Sequence, residues 1–198
     1  MNMASFLLYC LIVTFTPGPT NIVILSSVRN FGAKQAMKYV WGATAAFGTL
    51  LVLSAIFNSA MVALVPKLLS VMRIIGSLYM LYLAYLIYKA EGSETAARQT
   101  ATARSGFLMQ FVNPKVVLFT MTVIPSFVMP YYRSPLALAA FAAAITAIGF
   151  AAFVTWLLCG TVFKGVLQKY QKTVTIMMAL FLVYSAIMVS GIIECFGG

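Results

Sequence analysis

Phe15-Thr16-Pro17-Gly18-Pro19-Thr20-Asn21 interrupts an apolar run that extends over residues 3–28. Proline inside a helix removes a backbone donor and crowds the preceding turn. Pro17 and Pro19 around Gly18 therefore predict a broken span, with carbonyls before the break and amides after it left without helical partners. In hydrocarbon such groups must be satisfied by protein, water or a ligand. Thr16, Thr20 and Asn21 place polar side chains at the same point. A second break of this kind lies at Gln110-Phe111-Val112-Asn113-Pro114-Lys115, inside the apolar run 106–129. A simple proline kink accounts for either break alone. Two matched polar breaks point instead to a transporter binding site.

Composition places both breaks in a membrane. Of 198 residues, 63% are hydrophobic and 8% charged, and the mean hydropathy is +1.00. Soluble domains carry about 25% charged residues, so a water-soluble, a disordered and a disulfide-stapled secreted chain are all excluded. There is no His and no Asp, and the only acids are Glu91, Glu94 and Glu194. Ser–His–Asp triads, paired carboxylates and His-metal sites cannot be assembled, which argues against an enzyme and against a metal or other cofactor. Cys10, Cys159 and Cys195 lie far apart in apolar surroundings and read as packing residues, Cys195 near a membrane surface.

A spanning helix needs roughly 20 mostly apolar residues. Six stretches qualify: 3–28, 36–64, 68–88, 106–129, 134–163 and 174–196. The first lacks a basic leader and reads as a mature span rather than a signal peptide. Arg29, Lys34, Lys38, Lys89, Arg98, Arg104, Lys164, Lys169 and Lys172 fall in loops on one side, against Lys67, Arg73 and Arg133 on the other. Basic loops stay in the cytoplasm, so both termini are expected outside. Scattered short basic loops make no continuous face for nucleic acid. The polar stretch 91–104 reads as a cytoplasmic linker within a single transmembrane domain spanning 1–198. It separates halves of about 1–90 and 105–198, each with three spans. Three spans per half invert the second relative to the first. The expected architecture is all-α: six transmembrane helices as two inverted three-helix repeats, the first helix of each half broken.

Lys115 sharpens the functional reading. An ammonium deep in a bilayer is costly and functional by default, and no Asp or Glu lies mid-span to pair with it. It can bind an anion such as a substrate carboxylate and, being titratable, can carry an exchanged proton. The plainer alternative is snorkelling to a surface. Other features read as packing. Ala139, Ala143, Ala147 and Ala151 make a small-residue stripe suited to close helix contact, as do Gly42, Ala46 and Gly48. Tyr79, Tyr82, Tyr85 and Tyr88 suggest mixed packing and interface anchoring, and Trp41, Tyr131 and Tyr132 a belt.

The segment Thr16-Pro17-Gly18-Pro19-Thr20-Asn21, with Leu25-Ser26-Ser27 and Asn30-Phe31-Gly32 after it, resembles the LysE/RhtB family of bacterial amino-acid exporters. So does Gly106-Phe107 through Gln110-Phe111-Val112-Asn113-Pro114-Lys115. Phe127-Val128-Met129-Pro130 and Leu182-Val183-Tyr184 are most similar to the cysteine and O-acetylserine exporter branch. The resemblance implies export of amino acids or close derivatives across the bacterial inner membrane, driven by protons. Some relatives carry an intramembrane Asp important for transport. This chain has none, which makes Lys115 the leading candidate for coupling.

The expected function is thus alternating-access export of small neutral amino acids. Thr16, Gly18, Thr20, Asn21, Asn113 and Lys115 would line the site, and Pro17, Pro19 and Pro114 would break the helices. The partners are the amino acid, protons and the lipid bilayer, with self-association into a homo-oligomer left open. Lack of intramembrane acids argues against dibasic substrates. A passive channel and a non-transporting membrane assembly subunit are the competing readings.

Overall fold

Short polar side chains start the helices where the sequence supplies them. Asn2 accepts from the Ser5 amide at 3.2 Å and opens α1 (Met3–Phe15). Pro19 at the first position begins α2 (Pro19–Phe31). Gly32 at φ +80, a conformation glycine reaches without strain, turns the chain directly into α3 (Ala33–Ile56). The helix α4 (Asn58–Lys89) follows. Thr102 caps α5 (Ala103–Val112), and Asn113 caps α6 (Pro114–Val123), whose last turn widens over Ile124–Val128. Ser134 caps α7 (Pro135–Val162); α8 (Lys164–Lys169) and α9 (Gln171–Ser190) complete the chain. This computed structural model describes residues 1–89 and 101–190, and for 58–73 only the backbone.

All regular structure among the described residues is helical. Among the described residues three helices, α3, α7 and α9, are each long and apolar enough to cross a membrane, and counting each bent pair as one span raises the number to five. The described side chains of α4 add a shorter apolar stretch, Ile74–Lys89. Both expected breaks are present: α1 and α2 meet at 49°, α5 and α6 with its widened turn at 69°. The second and third spans divide elsewhere than expected. The polar pair Asn58-Ser59, which favours a helix start over a helix interior, sets the division at Phe57 rather than near residue 66. Of the linker, 91–100 lies outside the described residues, as do Glu91, Glu94, Arg98, Glu194 and Cys195.

Each half-helix that follows a break is buried at the centre of its own core. Around α2, Val23, Ile24 and Val28 pack with Tyr39, Leu83 and Leu182. Around α6, Val117, Phe119 and Val123 pack with Phe6, Leu51 and Ile145. By contrast, α1 exposes Leu7, Leu8, Leu11 and Ile12, the pattern of a helix facing lipid. Arg29, assigned above to a loop, belongs to α2 and is buried. Its Nη1 donates to Thr175 Oγ1 at 2.6 Å and to the Gln171 carbonyl at 3.2 Å, tying α2 to α9.

The small residues divide into two groups. Gly42 and Ala46 are buried, as expected. A Cβ on Gly42 would lie 1.9 Å from the Ala103 carbonyl oxygen, and one on Gly106 2.2 Å from that of Tyr39. Helices α3 and α5 thus cross backbone to backbone, through glycine on each side. Gly42→Ala or Gly106→Ala should cost about 1–3 kcal/mol by overpacking, read as a lowered thermal unfolding midpoint of the purified protein. The stripe of Ala139, Ala143, Ala147 and Ala151 does not pack within this chain: all four are exposed. The face of α7 turned inward is instead Ala142, Ile145, Gly149, Ala152, Phe153, Leu157 and Gly160, because Gly149 admits the Phe47 ring, 2.7 Å from where its Cβ would stand. Tyr82, Tyr85 and Tyr88 are exposed, in keeping with anchoring, and Trp41 stacks on Phe150 at 5.0 Å.

Candidate functional site

At the first break, Pro17 forces Thr16 out of helical geometry, to φ −60 and ψ 137. Carbonyls at the end of α1 are then satisfied by side chains from elsewhere. The Phe15 carbonyl accepts from Trp156 Nε1 at 3.1 Å. The Thr16 carbonyl accepts from Lys115 Nζ at 2.6 Å and from Asn21 Nδ2 at 3.1 Å. On the far side, Gly18 offers no side chain, so α2 begins without a side-chain cap. The amides of its first turn, after the Pro19 ring, retain the anion-attracting character of a helix N-terminus.

The second break is built differently. Asn113 Oδ1 accepts from the Lys115 amide at 3.1 Å, and the Asn113 carbonyl accepts from Val116 and Val117. The start of α6 is therefore fully capped by one residue. Its other amide atom, Nδ2, donates to Thr20 Oγ1 at 3.1 Å, and Gln110 Nε2 donates to the same oxygen at 3.1 Å. Residues ninety or more positions apart thus join the two breaks through Thr20 and through Lys115.

A cavity lies where they meet, with about 380 Å³ of empty space including its open mouth. Gly18, Thr20, Asn21, Asn113 and Lys115 supply its polar wall; Val13, Phe47, Val116, Phe119 and Phe153 supply the apolar one. Phe47 and Phe119 stack at 5.8 Å. A second cavity opens behind Gly18, Asn113 and Lys115, towards Met80 of α4 and Phe181, Tyr184 and Met188 of α9. Gly18 is held close between them: a Cβ there would stand 3.4 Å from Lys115 Cδ and 3.5 Å from Nζ.

Of the residues expected here, Gly18, Thr20, Asn21, Asn113 and Lys115 share one cavity. Thr16 contributes its carbonyl only, since its hydroxyl bonds back to the Ile12 carbonyl within α1. The Lys115 ammonium is held at the other break, on the Thr16 carbonyl. None of the described residues is an Asp or Glu, and among them no group of three or more His, Cys, Asp or Glu comes together to hold a metal ion.

The LysE type translocator family matches residues 11–191, a range that includes both breaks and every residue of the cavity. The chain belongs to this family. It is 31% identical to the cysteine/O-acetylserine efflux protein of Klebsiella pneumoniae subsp. pneumoniae over 186 residues, 93% of this chain and 95% of that one. It is 29% identical to the protein of the same name from Salmonella typhimurium over 188 residues, 94% of this chain and 96% of that one. With the Escherichia coli K12 protein of that name, identity is 28% over 186 residues, 93% of this chain and 95% of that one. No solved structure matches.

This LysE type translocator is a transporter and not an enzyme. The cavity wall and the bonds that hold the two breaks also involve residues that sequence reasoning did not single out as site residues. Gln110 is fully buried and bonded to Thr20. Its signal was available: it stands three positions before Asn113, the spacing that puts two side chains on one helix face. Phe47, Phe153 and Trp156 gave no local signal, because an aromatic residue in an apolar span looks the same whether it faces a cavity, a neighbour or lipid.

Proposed function

We propose that this translocator exports small neutral amino acids or close derivatives, of the cysteine and O-acetylserine kind, across the bacterial inner membrane. It works by alternating access in exchange for protons. The proposed arrangement is six spans in two inverted three-helix halves, with both termini outside. The observation that carries the reading is the convergence of both helix breaks on one cavity, with the Lys115 ammonium bonded across from the second break to the first.

The chemistry of the cavity matches a zwitterion with an uncharged side chain. Lys115 Nζ and the uncapped amides of α2 offer a site for the carboxylate. Asn21 Oδ1, buried and without a hydrogen-bond partner, offers an acceptor to the ammonium. The Phe47, Phe119 and Phe153 wall suits an apolar or weakly polar side chain and offers nothing to a second cation. The titratable group in contact with this space is Lys115, which makes it the proposed proton carrier. The names of the relatives, cysteine/O-acetylserine efflux proteins, support the same substrate class.

The test is transport by the purified protein in liposomes, with a panel of labelled amino acids and an imposed pH gradient. Uphill movement of cysteine or O-acetylserine, weak movement of lysine and arginine, and collapse with an uncoupler are expected. Downhill flux insensitive to the gradient would indicate a passive channel. No flux from protein that is folded and inserted would indicate an assembly subunit.

A further inference from the structure

We infer that the second cavity, behind Gly18, Asn113 and Lys115, is a further compartment for the exported amino acid. The substrate occupies it with its carboxylate on Lys115 and its uncharged side chain against α9. The inference rests on the export reading above and adds where the substrate stands when it is not against the phenylalanines of the first cavity.

The two cavities share one wall, since Gly18, Asn113 and Lys115 line both. Gly18 carries no side chain, so over it the partition is the Lys115 side chain itself. A Cβ at Gly18 would stand 3.4 Å from Lys115 Cδ and 3.5 Å from Nζ. Beyond that partition the second cavity holds about 690 Å³ of empty space including its open mouth, within the range of small-molecule sites. Its far wall is Met80 of α4 with Phe181, Tyr184 and Met188 of α9. The mouth opens beside Tyr184 and Met188, which are 58% and 51% exposed.

The ammonium decides what fills this space. It has three donor hydrogens. One goes to the Thr16 carbonyl, and the described residues accept neither of the others. Thr16 is exposed and Lys115 half-buried, so the bond between them is reachable. Lipid chains make a poor filling against an ammonium with hydrogens to spare. A carboxylate accepts both, and the thioethers and rings opposite suit the uncharged remainder of the molecule. One ammonium serves both cavities. Each chain therefore holds one amino acid at a time, which passes between the cavities by turning about Lys115 past Gly18.

The test uses purified protein in liposomes, O-acetylserine as substrate and an anionic, water-soluble methanethiosulfonate as thiol probe. Modification is read by mass spectrometry at each cysteine separately. Met188→Cys puts a thiol on the cavity wall, whereas Ile187→Cys puts one a residue away, 42% exposed and off that wall. Thiols react as thiolates, which hydrocarbon does not support. The thiol of Met188→Cys should therefore be modified about 10-fold faster or more than that of Ile187→Cys. O-acetylserine should slow it several-fold over the concentrations that saturate transport, and adding Lys115→Ala should abolish that protection. Ser185→Cys, on the same wall, should follow Met188→Cys. Equally slow modification at the wall positions and at Ile187→Cys would mean that lipid or another chain fills the space, and would overturn the inference. Fast modification that O-acetylserine leaves unchanged would make the cavity a water-filled recess and overturn it too. If the export reading itself is wrong, wild-type liposomes accumulate no O-acetylserine, a result obtained before any thiol probe is added.

Discussion

Lys115→Ala should abolish export while the protein still inserts and folds. The ammonium does two things that alanine cannot. It holds the Thr16 carbonyl across the first break at 2.6 Å, and it presents a positive charge to a cavity that contains no other ionised side chain. A charge-assisted hydrogen bond to a carboxylate contributes about 1.5–3 kcal/mol, or a factor of about 10 to 150 in affinity. Under the proposed proton exchange the driving force is lost as well, so net efflux from loaded cells should fall to background. Lys115→Arg separates the two roles. Arginine keeps the charge but holds its proton under all ordinary conditions. That variant should still bind substrate and mediate exchange of labelled for unlabelled substrate, yet fail to export uphill against a gradient.

Thr20→Val should be nearly as severe, for a different reason. Valine copies the shape of threonine and removes one oxygen, the oxygen on which Gln110 and Asn113 both donate. Those residues are 0% and 2% exposed, so no bulk water replaces it. Two buried amide donors left unpaired cost about 1–3 kcal/mol each, together enough to pull the second break out of register with the first. Asn113 also caps α6 through the Lys115 amide, so the displacement passes directly to Lys115. A clear drop in the thermal unfolding midpoint and export near background are expected for Thr20→Val. Thr20→Ser, which keeps the oxygen, should stay close to wild type in both. Equal behaviour of the two variants would show that the shared oxygen is not what joins the breaks.

The breaks were legible because proline and glycine act locally: Pro17, Gly18, Pro19 and Pro114 disturb the helix wherever the rest of the chain goes. Lys115 was legible because a charge in an apolar run needs a reason that no neighbour in sequence supplies. What the residues along the chain could not reveal were relations between distant helices. The Ala139 to Ala151 stripe satisfies the rule for close packing, yet it faces outward, because the inward face of α7 is chosen by Gly149 against Phe47. Thr16 seemed a ligand by its hydroxyl and contributes its carbonyl instead, since a threonine at a helix end can bond back to its own turn. Gln110 was passed over because an amide declares its role only by which of its atoms find partners, and those partners lie on α2 and on its own preceding turn. The division between α3 and α4 moved for a simpler reason. Hydropathy ran on through Phe57, whereas Asn58-Ser59 offered the chain a new helix start.

The central claim is that the two breaks make one substrate site, and equilibrium binding tests it most directly. Wild-type protein, purified and titrated calorimetrically with O-acetylserine and with cysteine, should show one saturable site per chain. The double variant Lys115→Ala, Asn113→Ala should show none while still unfolding cooperatively on heating. Binding of unchanged affinity in that double variant would place the substrate elsewhere in the molecule and contradict the account.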